Sequence, residues 1–149
     1  MGKPYRACVV GVFVDDNGLV LVAERSDYPG SWQLPQGGVD DGEILEKAIK
    51  REMLEELGVV RIQILAKTKD PILYEFPPDI KAPVAKKFRG QSMTWFRLKL
   101  EPGETPDLTK ACDKEFTSFK WVSWQQAING ITPWKKAAYT EGFRSLGFE

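Results

Sequence analysis

Between Tyr5 and Glu24 the chain reads YRACVVGVFVDDNGLVLVAE, two apolar, β-branched stretches separated by Asp-Asn-Gly. Asn-Gly supplies the positive φ of a tight turn, so the pattern predicts a hairpin. WQLPQGG, residues 32–38, reads as a short extended piece entering a glycine turn. Further strand-like runs lie at VRIQILAKT, ILYEF, SMTWFRLKL and FTSFKWVS. Two helices are expected to close the chain: Trp124 to Asn129 after Ser123, and Trp134 to Leu146, with Thr132 as cap and Pro133 at the first helical position. Residues 77–90, rich in Pro and Lys, form the one long loop candidate. Strands of mixed spacing around one central helix predict an α/β sandwich with a mixed sheet between helices, folded as a single domain over residues 1–149.

The central helix has an unusual phase. Asp40 or Asp41 is expected to cap it, Glu43 to occupy its first turn and Gly58 to stop it. At about 100° per residue, Leu45, Ala48, Ile49 and Met53 form an apolar stripe. Glu46, Lys47 and Lys50 lie opposite, as surface charges should. Glu52 and Glu56 fall inside the stripe, between Ala48 and Ile49, with Glu55 at its edge. Three such carboxylates cannot all ionise in a half-buried place unless a cation compensates them. The ordinary reading of an acidic run is a solvated face; the inward phase argues against it here.

Composition narrows the chemistry. The chain has 149 residues, 42% hydrophobic and 28% charged, with 21 basic and 21 acidic residues. Zero net charge argues against a general DNA-binding field, although a local basic cleft for short phosphate chains fits. No apolar run approaches the roughly 18 residues of a membrane span, and no signal peptide is evident, so a cytoplasmic protein without a membrane partner is expected. Cys8 and Cys112 show no pairing or metal pattern and are expected to be reduced thiols. Histidine is absent altogether, which removes Ser-His and Cys-His nucleophiles and the commonest zinc ligand. Acid–base work must then fall to carboxylates, Lys, Tyr or metal-bound water, and oxygen-only ligands point to Mg²⁺ or Mn²⁺.

The stretch GGVDDGEILEKAIKREMLEELGV resembles the Nudix box at every defining position: Gly37, Glu43, Arg51, Glu52, Met53, Glu55, Glu56, Gly58 and Val59, within residues 37–59. The resemblance to the Nudix hydrolase superfamily implies an α/β/α sandwich and metal-dependent hydrolysis of a nucleoside diphosphate linked to another group. It also implies roles. Glu52 and Glu56 would be the core metal ligands, and Glu55 a ligand or the base. Glu43 and Arg51 would brace loop and helix by a salt bridge, and backbone carbonyls near Gln36 and Gly37 would add a ligand, next to Gly38.

Around the box, YRACVVGVFV, SWQLPQGGVDDGE, YEFPP, FRGQSMTWFRLKL and EFTSFKWVS resemble the subgroup of asymmetrically cleaving diadenosine tetraphosphate hydrolases and RNA 5′-pyrophosphohydrolases. LYEFPP leans toward the former, whose products would be ATP and AMP. The latter would release pyrophosphate from 5′-triphosphate RNA. Glu115 matches the subgroup's additional glutamate, a further ligand or the base. Candidate phosphate-binding cations are Arg6, Arg25, Lys81, Lys86, Lys87, Arg89 and Lys135, with Arg25 and Lys135 matching best and Lys87 also retained as a substrate contact. For purine stacking, Tyr74 and Trp134 are preferred, with Phe76 left open. The Tyr139 hydroxyl is expected to reach a phosphate, while Trp32, Phe96 and Trp121 are read as packing residues. The expected partner is a small dinucleoside polyphosphate or the 5′ end of RNA, bound by a monomer. Two alternatives are a nucleotide-sensing Nudix domain without turnover and a sanitiser of single nucleoside triphosphates.

Overall fold

A computed structural model describes residues 2–149. β1 (Tyr5–Phe13), β4 (Gln36–Gly38), β5 (Ile62–Lys67), β6 (Ile72–Glu75) and β7 (Gly90–Leu100) form a five-stranded mixed sheet. β2 (Val20–Arg25), β3 (Trp32–Gln33) and β8 (Phe116–Val122) form a three-stranded antiparallel one. β1 and β7 run parallel over their full pairing. Eleven residues long, β7 uses the edge away from β1 for both β6, along Gly90–Met93, and β5, along Phe96–Leu100.

The sheets lie in a mixed α/β fold of the kind expected, but the predicted hairpin does not form as such. The turn is present: Asp15 N–H donates to Leu19 O at 3.0 Å, the Asp15 carboxylate accepts from Asn17 and Leu19, and Gly18 adopts φ 79°. Beyond the single Val14–Val20 bridge the strands part company into different sheets. Both edges of β1 are taken, one by β4 and the other by β7, leaving no ladder for β2.

Alternation along β1 explains its unbroken apolar run. Cys8, Val10 and Val12 face one core, together with Trp95, Tyr139 and Phe143; Val9 and Phe13 face another, with Ala48, Ile49, Met53 and Leu57. A strand covered on both faces has no polar side to present. The second core is closed by α1 (Leu45–Leu57) and the first by α4 (Lys136–Ser145). α2 (Val84–Lys87) is a single turn inside the proline-rich segment. α3 (Trp124–Gly130) starts as predicted at Ser123, whose hydroxyl accepts from Gln126 N–H while Gln126 returns the bond. The last helix is entered through a 3₁₀ turn, Pro133–Lys135, and Thr132 makes no side-chain cap.

At the start of α1 neither Asp40 nor Asp41 is the cap. Ile44 holds that position without a side-chain bond, and Glu43 precedes the helix. The carboxylates of this loop are used elsewhere: Asp40 N–H donates to Glu43 Oε1 at 3.0 Å, and Glu43 turns toward Arg51. The other end is closed as expected. Gly58 has φ 68°, and its N–H reaches Leu54 O. The chain crosses there, Asp107 N–H satisfying Leu57 O at 2.8 Å, so a Cβ on Gly58 would overlap the Asp107 carbonyl. Gly58→Ala therefore combines a left-handed Cβ penalty of about 1–2 kcal/mol with a backbone clash. Urea unfolding should show a lower midpoint with an unchanged slope; an unaltered midpoint would refute this account of the crossing.

Candidate active site

The site grows from the junction of β4 and α1. β4 is sewn to β1 in the register Val9–Gly37, and Gly11 N–H and Val39 N–H bond to Pro35 O and Ala7 O on either side. This fixes the backbone of Gly37 and Gly38 against two charged side chains. A Cβ at Gly37 would overlap the Glu52 carboxylate, and one at Gly38 would overlap the Arg6 guanidinium. Glycine here leaves room for the ends of these two side chains, and its φ is not unusual; a Cβ would displace the carboxylate or the guanidinium.

Arg51 organises the acids. Its Nε and Nη2 fork onto Glu43 at 2.9 Å each, and Nη2 also donates to Gly38 O at 2.8 Å. Nη1 donates to Glu52 Oε1 at 2.8 Å and to Glu55 Oε2 at 3.2 Å. All five guanidinium donors are thereby engaged. Arg51 holds the Glu43 carboxyl down at about 2, aided by the Asp40 N–H, and its own proton is bound more tightly than usual. The bond to Glu52 joins neighbouring helix positions, a pairing that helical spacing does not signal.

Glu52 and Glu56 are 7% and 2% exposed, so the inward phase projected for them is the one observed. Burial raises the Glu52 carboxyl, opposed by Arg51. Glu56 is in a harsher place. Burial first, and then Glu115 within hydrogen-bonding reach, push its carboxyl up to about 11. Its Oε1 is buried and has no hydrogen-bond partner among the described residues. Glu115 lies just before β8, where Ser26 N–H and hydroxyl hold the 114–115 backbone. Asp113 is brought to the same wall, its N–H donating to Glu55 O at 3.0 Å.

Glu52, Glu56, Asp113 and Glu115 line a cleft of about 400 Å³ together with Arg6, Arg25 and Lys135. Arg25 carries its own partner, Asp27, at 2.7 and 2.9 Å. Lys135 Nζ stands 5.2 Å from the Trp134 ring and 5.7 Å from that of Tyr74. Burial, followed by repulsion from Arg25, lowers its pKa to about 8. Tyr74, Phe76 and Trp134 meet edge to face at centroid distances of 5.2–6.2 Å on the cleft rim. Tyr74 donates its hydroxyl to Gln91 Oε1, which also accepts from Gln36 Nε2 at 3.0 Å. With that ring 9% exposed, the half-buried Trp134 and Phe76 offer the more open faces.

Other expected contacts are elsewhere. Tyr139 is 2% exposed, packed on Trp95 and Phe143, and its hydroxyl accepts from Leu34 N–H at 3.1 Å, so it faces the core instead of a phosphate. Its place on α4 and its bulk made it an apolar-core residue. Lys87, at the end of α2, is exposed and lines neither the cleft nor the groove next to it. Glu55 and Arg51 stand beside the cleft, bound to each other. Asp113, Gln33 and Gln91 line it without having been singled out. Asp113 lies in a bend ahead of β8, where no periodic pattern in the sequence signals a side-chain direction.

Comparison with known proteins shows the family. The NUDIX domain family matches residues 3–142. The chain belongs to that family. It is 36% identical to an RNA pyrophosphohydrolase of Wolbachia sp. subsp. Brugia malayi, covering 91% of this chain and 85% of that one. Nudix hydrolase 25 of Arabidopsis thaliana is 32% identical, covering 96% and 86%. Among solved structures, a C. elegans Ap4A hydrolase binary complex superposes with a TM-score of 0.64 at 21% identity, covering 95% and 96%, which is a likeness of fold. With the Nudix box intact, the chain is a Nudix hydrolase.

The donor set fits a hard divalent ion. An unpartnered buried carboxylate oxygen beside a second carboxyl calls for a cation or a proton. No group of three His, Cys, Asp or Glu side chains among the described residues is placed to hold a metal ion, so any ion here would rest on the Glu52 and Glu56 carboxylates with waters completing its shell, as Mg²⁺ accepts. Because a folded carboxyl near 11 keeps a proton that the unfolded chain loses above about 4.5, metal-free stability falls as pH rises between those values. At pH 8 without metal, Glu56→Gln should melt above the wild type. Mg²⁺ at a hundred times its Kd should stabilise the wild type by about 2.7 kcal/mol, with most of that increment gone in the variant. Equal metal increments in the two proteins would show that Glu56 is not a ligand.

Lys135 yields a second prediction. Its ammonium loses its proton above pH 8 in the free enzyme, so KM for a polyphosphate should rise there. Lys135→Arg keeps its charge and should move that limb upward by more than one pH unit; coincident profiles would exclude Lys135 as the titrating contact.

Proposed function

We propose that the protein is a metal-dependent hydrolase of phosphoanhydride bonds at the 5′-polyphosphate end of RNA. One observation carries the reading: a single cleft is lined by Glu52, Glu56 and Glu115, by Arg6, Arg25 and Lys135, and by the paired Tyr74 and Trp134 rings. A polyphosphate with its metal needs both the acids and the cations, and the nucleoside needs the aromatic surfaces. The resemblance to RNA pyrophosphohydrolases over most of both chains supports RNA over other 5′-polyphosphates.

Mg²⁺ or Mn²⁺, when bound, would acidify a water and offset charge on the attacked phosphate. Glu56 and Glu52 would hold it, Glu56 with its unpartnered oxygen and Glu52 by the oxygen that Arg51 leaves free. Arg51 does not touch substrate; it keeps Glu52 in place. Arg6, Arg25 and Lys135 would bind non-bridging phosphate oxygens and draw off negative charge from the departing pyrophosphate. Of the two candidate bases, Glu115 is favoured, since it lines the cleft whereas Glu55 is engaged by Arg51. Its carboxylate would accept the proton of the attacking water.

Diadenosine tetraphosphate is the second reading. Zero net charge and a compact aromatic rim suit a small dinucleotide. Both substrates should be assayed side by side with Mg²⁺ and with Mn²⁺. Pyrophosphate from 5′-triphosphate RNA at the higher kcat/KM supports the RNA reading; faster formation of ATP and AMP replaces it with the second. On the preferred substrate, Glu115→Gln should lower kcat by about 10²–10⁴-fold and Glu55→Gln by much less. The reverse order would assign the base to Glu55.

A further inference from the structure

Next to the cleft lies a second groove of about 600 Å³, bounded by the N-terminal Gly2 and Lys3, the end of β6 and residues 76–89. Phe76, Ile80 and Ala82 line both, so a chain leaving the cleft across these side chains enters the groove. Its charge is one-sided. Lys3, Lys81, Lys86 and Arg89 face it, against Glu75 alone. Glu75 is already held by Arg89 at 2.8 Å, and Lys3 donates to Ala85 O at 2.8 Å. Lys81 and Lys86 are exposed and have no ion-pair partner among the described residues. Asp79 is exposed in the same segment but is not part of the lining. In a chain of zero net charge this is a local cationic excess over an apolar floor of Phe76, Pro77 and Phe88.

The phosphates that react are accounted for by Arg6, Arg25 and Lys135. Further cations in the adjoining groove serve a ligand that carries further phosphates. We infer that this groove receives the nucleotides of single-stranded RNA that follow the 5′-terminal one, Lys81 and Lys86 meeting backbone phosphates while a base lies on the Phe76–Phe88 floor. Such a combination of a basic track and aromatic surface binds single strands without sequence preference. The inference rests on the RNA reading above and extends it from the reacting end to the chain behind it.

The test compares 5′-triphosphorylated RNAs of two and ten nucleotides, with wild type, Lys81→Ala/Lys86→Ala, and Lys110→Ala/Arg144→Ala as a charge-matched control outside the groove. The wild type should favour the ten-mer in KM by about tenfold. The groove variant should lose that preference, act on the two-mer as before, and show a salt slope for ten-mer binding shallower by about 1.4 (about 0.7 per phosphate contact). The control should behave as wild type. A retained length preference, or equal losses on both RNAs, overturns the proposal. Anisotropy with a 5′-monophosphorylated ten-mer separates the two readings. Lys81/Lys86-dependent binding without RNA turnover keeps the groove and sinks the pyrophosphohydrolase. Turnover of RNA with no dependence on these lysines does the opposite.

Discussion

The five-donor coordination of Arg51 is the constraint on which the site depends. One guanidinium joins a loop carboxylate (Glu43), a strand-end carbonyl (Gly38) and two acids of its own helix (Glu52 and Glu55). A planar fork can do this and a lysine cannot, because five directed donors are needed at once. The bonds settle the loop's path into α1 in place of an aspartate cap. They also fix which carboxylate oxygens remain available. Glu52 keeps one oxygen, Glu55 is drawn aside, and Glu56, which makes no bond to Arg51, is left with a buried oxygen that nothing among the described residues satisfies.

That unsatisfied oxygen is tolerated because the surrounding scaffold is over-determined. β1 is paired on both edges and covered on both faces, so β4 and α1 are each referred to the same strand. Gly37 lets the Glu52 carboxylate lie directly on the backbone of β4. The destabilisation of burying carboxylates is concentrated at one point, where it becomes an affinity for cations. Opposite, burial of Lys135 does the converse and makes its charge dependent on what occupies the cleft.

Much of this was legible in the chain. The phase of Glu52 and Glu56 follows from 3.6-residue periodicity, and Gly58 and the Ser123–Gln126 box are local signals whose physics lies within one turn. The absence of histidine excluded whole classes of chemistry by composition alone. The failures have a common origin. The Asp-Asn-Gly turn forms as its residues dictate, but its strands separate because β4 and β7 occupy both edges of β1. Tyr139 had suitable chemistry and the wrong surroundings, Trp95 and Phe143 enclosing it. Lys87 was one of several similar lysines, and only the course of residues 77–90 separates it from Lys81 and Lys86.

The sequence by itself determined the reaction class, because the box residues sit on a single helix and the loop feeding it, where spacing dictates direction. Tertiary structure alone decided which strand pairs with which, which oxygen of each glutamate is free, and which cations face the acids. Arg6, Arg25, Asp113, Glu115 and Lys135 come from four separate segments, and their meeting depends on sheet register and helix docking, which are non-local energies that no short stretch of chain encodes.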